Sequence, residues 1–340
     1  MSDKDEVQYS TAQPVVERPS FWSRVGAHFK KWWWAHFIVF AIVVLVITLP
    51  LVYVGYPKIA QHDVNKSTLN ITNLAFSDPT PTSIHINQTQ VLGNKAIYHP
   101  TIYAFNATIA LVGATAPLAV VPVPRTETND GAVIVVDSNL DLNNTEAVTN
   151  FSMAVLGLEE FQLNIYGRPV LKEGPLPKHT VTYNKTVTMK GLNGLKGFEL
   201  QDIKISLTPG ADGTNMNGTV FIPNPSAITV SMGNVTLDVS VNNTQIGQSY
   251  LNDLTLRPGP NTIPLRSTIN QTQVIGLVSG KNAPFPSGII PLSILGNSSV
   301  YNGVEIPYYS RALAMNPLET TMNVTQVLIN SGLGALAGVL

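Results

Sequence analysis

Eighteen consecutive residues, Phe37 to Val54 (FIVFAIVVLVITLPLVYV), carry no charge and are apolar except for Thr48 and Pro50. No other feature constrains the fold of this chain as strongly. A helix of roughly 20 apolar residues, rising about 1.5 Å per residue, crosses the hydrocarbon core of a bilayer. Fourteen positions of the run are Phe, Ile, Leu or Val. At about −0.3 to −0.6 kcal/mol each, their insertion gains on the order of 4–8 kcal/mol, which outweighs one proline. The competing reading is a buried core helix of a soluble domain.

The run divides two compositions. Residues 1–20 are polar, contain Pro14 and Pro19, and read as a disordered tail. In the following FWSRVGAHFKKWWW, Phe21, Trp22, Val25 and Phe29 fall near one helical face, and Arg24, His28 and Lys31 on another. This predicts a short helix in the headgroup region, with Trp32, Trp33 and Trp34 in the aromatic belt. Arg18, Arg24, Lys30 and Lys31 precede the span, whereas Lys58 and Lys66 follow it, a bias that places the N-terminus in the cytosol. Tyr53-Val54-Gly55 sets a bulky residue where signal cleavage needs a small one. The expectation is therefore an uncleaved signal anchor of type II orientation, with residues 1–31 cytosolic, 32–54 spanning, and the remainder outside the cytosol behind a short spacer, Gly55 to Asn65.

A second signal agrees with that orientation. Asn-X-Ser/Thr with X other than Pro occurs at Asn65, Asn70, Asn87, Asn106, Asn143, Asn150, Asn184, Asn217, Asn234, Asn242, Asn270, Asn297 and Asn323. Residues 1–64 contain no asparagine. Sequons on one side only of a span predict a secretory-pathway lumen or the cell exterior, and a glycoprotein. Asn- and Thr-rich β-proteins also generate some sequons by chance.

The long side is rich in Val, Ile, Thr and Asn with frequent Gly and Pro, a composition of short strands and turns. Val235, Leu237, Val239 and Val241 alternate with Thr236, Asp238 and Ser240, and Ile203, Ile205 and Leu207 with Lys204, Ser206 and Thr208. Ile84 and Ile86 share a face, and AVIVVDSNLDL mixes a continuous apolar run with alternation, as a core strand would. Turns at Asp78-Pro79, Pro209-Gly210, Asp212-Gly213, Asn224-Pro225 and Pro258-Gly259-Pro260 separate these segments. Such spacing predicts an all-β chain of antiparallel sandwiches. Short helices are expected at Ala147–Leu158 and Val274–Ser279, and a final helix or frayed tail from Asn323 to Leu340. A faint repeat and the EGPLPKH segment near Gly174 to His179 place a boundary between two tandem domains, 55–175 and 176–340.

The run from Asn224 to Asn270, NPSAITVSMGNVTLDVSVNNTQIGQSYLNDLTLRPGPNTIPLRSTIN, resembles the type-2 late-embryogenesis-abundant (LEA-like) domain. It has an Asn-Pro turn, a strand of alternating apolar residues, a polar turn ending in Ile-Gly, a Pro-Gly turn and a further strand. The whole layout is similar to fungal single-pass vacuolar-membrane proteins with a luminal domain of unknown function, including the type that terminates autophagy. The resemblance implies immunoglobulin/fibronectin-III-like β-sandwiches, lipid binding in a groove along the sandwich, and a place in the vacuolar membrane.

Catalytic patterns are sparse. The chain has no cysteine, which removes disulfides, thiolate metal sites and Cys nucleophiles. His28, His36, His62, His85, His99 and His179 show no metal-ligand spacing. Gly191, Gly194 and Gly197 are mis-spaced for a dinucleotide turn. In DSNLDLN, Asp137, Asn139, Asp141 and Asn143 mimic a calcium loop, but Leu142 stands where that loop needs Gly and Val148 where it needs Glu. On a strand the same spacing is a solvent face. Glu159 and Glu160 diverge on a strand and read as a surface pair. Charged residues make up 12% of the chain and the net charge is −1, so no nucleic-acid footprint exists. The expectation is no enzyme, no cofactor and no metal. The expected partners are membrane lipids or another apolar ligand, the alternative being a protein-binding scaffold or regulator at the same membrane.

Overall fold

The computed structural model describes residues 21–337, so the tail expected over residues 1–20 lies outside the described residues. Two compact units divide between Pro57 and Lys58. In the first, helix α1 (Phe21–Pro50) is broken at Trp32, whose φ of −116° and ψ of 18° are not helical. The break falls within the Trp32–Trp34 cluster, five residues before the apolar run begins at Phe37. Thr48 donates its hydroxyl to the Val44 carbonyl at 2.8 Å, which hides its polarity inside the helix. Pro50 has no N–H and crowds the preceding turn, and a π-helical turn, Leu51–Gly55, follows it directly. One helix, between His28 and Lys66, is long and apolar enough to cross a membrane, with a mean hydropathy of 3.0 and an unburied surface. Part of the expected spacer is helical, in α2 (Tyr56–Lys66).

The second unit is mostly strand. β1 (Thr68–Ser77) and β2 (Ser83–Gly93) form a hairpin, followed by β3 (Thr101–Ile102), β4 (Phe105–Leu111), β5 (Ala119–Val123), β6 (Thr126–Glu127) and β7 (Ala132–Asp141). Helix α3 (Thr145–Gly157) leads to β8 (Glu160–Gly167), β9 (Val170–Lys172), β10 (His179–Thr180) and β11 (Tyr183–Lys190). Then come β12 (Glu199–Ile205), β13 (Met216–Asn224), β14 (Ile228–Val241), β15 (Thr244–Leu256) and β16 (Gly259–Ile269). The chain continues through α4 (Gln271–Val278), β17 (Ile289–Tyr301), β18 (Val304–Glu305), α5 (Pro307–Ala314), β19 (Leu318–Asn323), α6 (Val324–Asn330) and α7 (Gly334–Ala337). The architecture is β-sandwiches behind one N-terminal helix, as strand spacing and turn chemistry predict.

In the first half, β1, β2 and β7 stack over a second sheet of order β11-β8-β4-β5, and β10-β9-β3-β6 form a small third sheet. Ile86 and Val136 meet Val121 and Leu163 in the core between them. In the second half β12-β13-β16-β15-β14 run in order, and β17 links β14 to β19. The halves are joined by one ladder. β1 pairs with β14 in parallel through Leu74↔Ile228, Ala75↔Thr229 and Phe76↔Val230, so strands from both sides of residues 174–179 share an eleven-stranded sheet and one buried core. All other pairings are antiparallel.

β14 serves both halves by changing phase. Ile228, Val230 and Met232 point inward, then Val235, Leu237, Val239 and Val241 do. The parity flips at a bulge around Gly233, whose φ is +71°, and there the neighbouring strand changes from β1 to β17. A Cβ on Gly233 would lie 2.4 Å from the Val300 carbonyl oxygen, so only glycine fits. Ser299, wholly buried, donates its hydroxyl to the Met232 carbonyl at 2.7 Å and so satisfies a backbone group beside the bulge. The turn into β14 is held by Asn224, also buried. Its amide donates to the Ile228 carbonyl at 2.8 Å and accepts from the Ser226 N–H and hydroxyl at 2.9 and 2.6 Å.

Three expectations need correction. Leu207 is exposed because β12 ends at Ile205, and the chain bends at Leu207–Thr208 on its way to the Pro209-Gly210 turn. β7 is an outermost strand rather than a central one, and its alternation prevails over the apolar run, with Ile134, Val136 and Leu140 buried and Val133 and Val135 exposed. The antiparallel expectation fails for the β1–β14 ladder. The helices at Thr145–Gly157 and Gln271–Val278 lie where the pattern places them, each started by an asparagine cap, Asn144 or Asn270. The expected C-terminal segment contains α6 and α7, and residues 338–340 lie outside the described residues.

Candidate functional site

The residues singled out by sequence are the thirteen sequon asparagines, and the fold distributes them over the second unit. Twelve are exposed, and Asn87 is half-buried with its amide on Asp137 at 3.3 Å. Buried asparagines such as Asn94, Asn224 and Asn261 belong to no sequon. Asn70 and Asn87 lie on β1 and β2, Asn106 and Asn184 on the other sheet of the first sandwich, and Asn217, Asn234 and Asn297 on β13, β14 and β17. Asn270 and Asn323 cap α4 and α6 through the side-chain oxygen, which accepts from Gln273 and Gln326 N–H. A sugar joins the side-chain nitrogen, so both caps are compatible with glycosylation.

The strand bearing DSNLDLN places Asp137, Asn139, Asp141 and Asn143 on one exposed face, as the solvent-face reading requires. Asp137 is occupied by protein groups: His85 Nε2 approaches its carboxylate at 3.0 Å, and His85 Nδ1 lies 2.9 Å from Asn139. Among the described residues no group of three His, Cys, Asp or Glu converges for a metal ion. Glu159 and Glu160 are exposed. Gly191 precedes, Gly194 lies within and Gly197 follows a 3-10 turn at Asn193–Leu195, in a loop.

Sequence reading missed three inward-facing polar side chains. Gln88 and Gln90 continue the inward alternation of Ile84, Ile86 and Leu92, and the Gln88 amide donates to Gln90 at 3.0 Å inside the first sandwich. They border a cavity of about 40 Å³ that also touches Tyr183, whose phenol burial pushes up to about 12. Tyr308 on α5 is buried, and its hydroxyl has no hydrogen-bond partner among the described residues. It lines a second cavity of about 40 Å³, with Phe151 and Ser152 of α3 and Phe76 of β1. A third, of about 30 Å³, lies inside the second half. One water takes roughly 10–15 Å³ by this measure, and small-molecule pockets run to roughly 300–1,000 Å³. These interiors therefore have the volume of a few water molecules, too little for an acyl chain. An outside crevice of about 460 Å³ opens between β1, β11 and the turns at Pro225 and Pro258. The alternating inward register of β2 is the signal that locates Gln88 and Gln90; no local pattern marks Tyr308.

Comparison with known proteins adds one family. A family model described as a protein of unknown function, DUF3712, matches residues 116–239. That stretch runs from just before β5 into β14, through the expected domain boundary. No curated protein matches. Among solved structures, a protein from Archaeoglobus fulgidus is similar at 11% identity over 37% of this chain and 94% of its own, with a TM-score of 0.22. A bacterial adhesin from Mobiluncus mulieris is similar at 11% identity over 68% of this chain and 81% of its own, with a TM-score of 0.20. Scores this low carry no weight for fold or function.

Proposed function

We propose that the chain is a single-pass, type II membrane glycoprotein whose luminal β-sandwich unit acts by its surface, as a non-enzymatic scaffold or regulator of protein partners. The observation that carries this is the contrast between a closed interior, with inner cavities of about 30–40 Å³, and an outer surface carrying twelve exposed sequon asparagines. The basic residues before the span support a cytosolic N-terminus. The similarity of the whole layout to fungal single-pass vacuolar-membrane proteins supports that membrane as the site of action, with regulation of autophagy as one role of that kind. Expressed in a eukaryotic cell, the protein should lose the mass of several glycans on glycosidase treatment. No loss of mass would overturn the orientation.

A second reading rests on Tyr308. A buried, unpartnered hydroxyl beside an apolar cavity suits a small apolar ligand with one polar group, if α3 and α5 part to admit it. Native mass spectrometry of the full chain in mild detergent separates the two. The scaffold reading expects protein and glycans alone, and a retained lipid of defined mass would replace it with lipid binding.

A further inference from the structure

We infer that the crevice between β1 and β11 is the seat of the glycan on Asn70, whose first sugars cover two open strand edges. β1 pairs with β14 only at Leu74–Phe76, so from Thr68 to Asn73 its outer edge has no strand partner among the described residues. β11 pairs with β8 alone, and its other edge is likewise open. Lys185 ties the start of β11 to the start of β1, donating to the Asn65 and Ser67 carbonyls. Beyond that tie the two edges stand apart across the crevice of about 460 Å³, with Asn70 and Thr72 on one wall, Thr188 and Lys190 on the other, and Pro225 and Pro258 at its end. Open edges are templates for pairing with other chains, and native folds cover them.

The chemistry of the crevice suits a sugar. Proline rings offer C–H faces, Thr188 and Lys190 are exposed donors, and both backbone edges present free N–H and C=O groups to hydroxyls and acetamido groups. The occupant is tethered at the wall. Asn70 is exposed, belongs to the Asn-Ile-Thr sequon, and makes no side-chain hydrogen bond among the described residues. Tethering gives a high effective concentration, which a free peptide strand seeking the same edges lacks. In the transfer, Asn70 Nδ2 bonds to the anomeric carbon of a lipid-pyrophosphate-linked oligosaccharide. The C–O bond to pyrophosphate breaks, the lipid pyrophosphate leaves with the electron pair, and the amide gives up one proton. β1 emerges before β11 during synthesis, so the sugar is in place when β11 folds beside it.

This rests on the luminal reading above, and the test keeps the two apart. Full-length protein from a eukaryotic cell, held native in detergent, is treated with peptide N-glycanase and its sites are followed by mass spectrometry. Release at Asn70 should be about tenfold slower than at Asn106 and Asn217, with the difference lost on denaturation, because packed sugars are cleaved only when the edge opens. Asn70→Gln and Thr72→Ala, which remove the sequon, should both speed amide exchange at Val187–Lys190 about tenfold, whereas Thr72→Ser, which keeps it, should not. Equal native release at the three sites, or an empty Asn70 beside occupied Asn106 and Asn217, overturns the inference alone. Absence of sugar at every sequon overturns the luminal reading and the inference together.

Discussion

Tyr308 shows what one side chain does to this core. Its relative exposure is 1%, its ring packs edge-on against Tyr309 at 4.7 Å, and burial drives its phenol far up from the ordinary value. An unmade hydrogen bond at such a site costs about 1–3 kcal/mol. Tyr308→Phe deletes the orphan oxygen and keeps the ring, so the urea midpoint should stay level or rise, by up to about 1 kcal/mol of stability. A fall of that size would mean that something completes the hydroxyl in solution. Asn224 is the opposite case, equally buried with three side-chain hydrogen bonds made. Nothing local distinguishes these residues in the sequence. Asn224-Pro225 is legible as a turn from its dipeptide, but an inward Tyr depends on strands elsewhere. Gln88 and Gln90 were hidden for a related reason: INQTQVL reads as wet because polar residues occupy both of its faces, and only pairing with β1 and β7 decides which is inside.

At the level of elements, β14 is the piece on which the two halves depend. Its second half was legible, since Val235, Leu237, Val239 and Val241 alternate without a break. Its first half has the other parity, and the switch needs a residue at positive φ in close contact with β17. Gly233→Ala adds about 1–2 kcal/mol for the left-handed backbone, and the close approach to the Val300 carbonyl brings the expected loss to about 2–4 kcal/mol. Denaturant unfolding measures it, and an unchanged midpoint would show that β14 can slide its register without cost. The helices were easier to read. α3 and α4 each begin at an asparagine that accepts from an N–H three residues on, a signature local in sequence.

Over the whole molecule, several phenols share one response to pH. Tyr183, Tyr308 and Tyr309 all have raised values, with burial as the first cause in each. An unfolded tyrosine titrates near 10. Above that pH the unfolded chain releases protons that the folded chain keeps, so stability is complete below about 10 and falls as pH rises toward the folded values, by up to about 1.4 kcal/mol per pH unit for each phenol. Urea midpoints should be level from pH 8 to 10, on this reading, and drop at about pH 11, with the share of tyrosinate absorbance that belongs to the buried phenols appearing only on unfolding. Equal midpoints at about pH 9 and 11 would remove the buried phenols from the account. At this scale the long apolar helix and the sandwich class were legible, because each repeats one local rule over many residues. The β1–β14 ladder was not, since a parallel contact between strands so far apart leaves no trace in either segment.

Two sequons end in hydroxyls that the finished fold hides. Ser152, third in Asn150-Phe151-Ser152, is buried on α3, and Ser299, third in Asn297-Ser298-Ser299, is bonded to the Met232 carbonyl. A transferase that must grip those serines reaches them only before α3 docks and before β17 joins β14. In a luminal protein, occupancy at Asn150 and Asn297 is then a clock reading, a permanent chemical record of how long each half of the molecule stayed open after it was made.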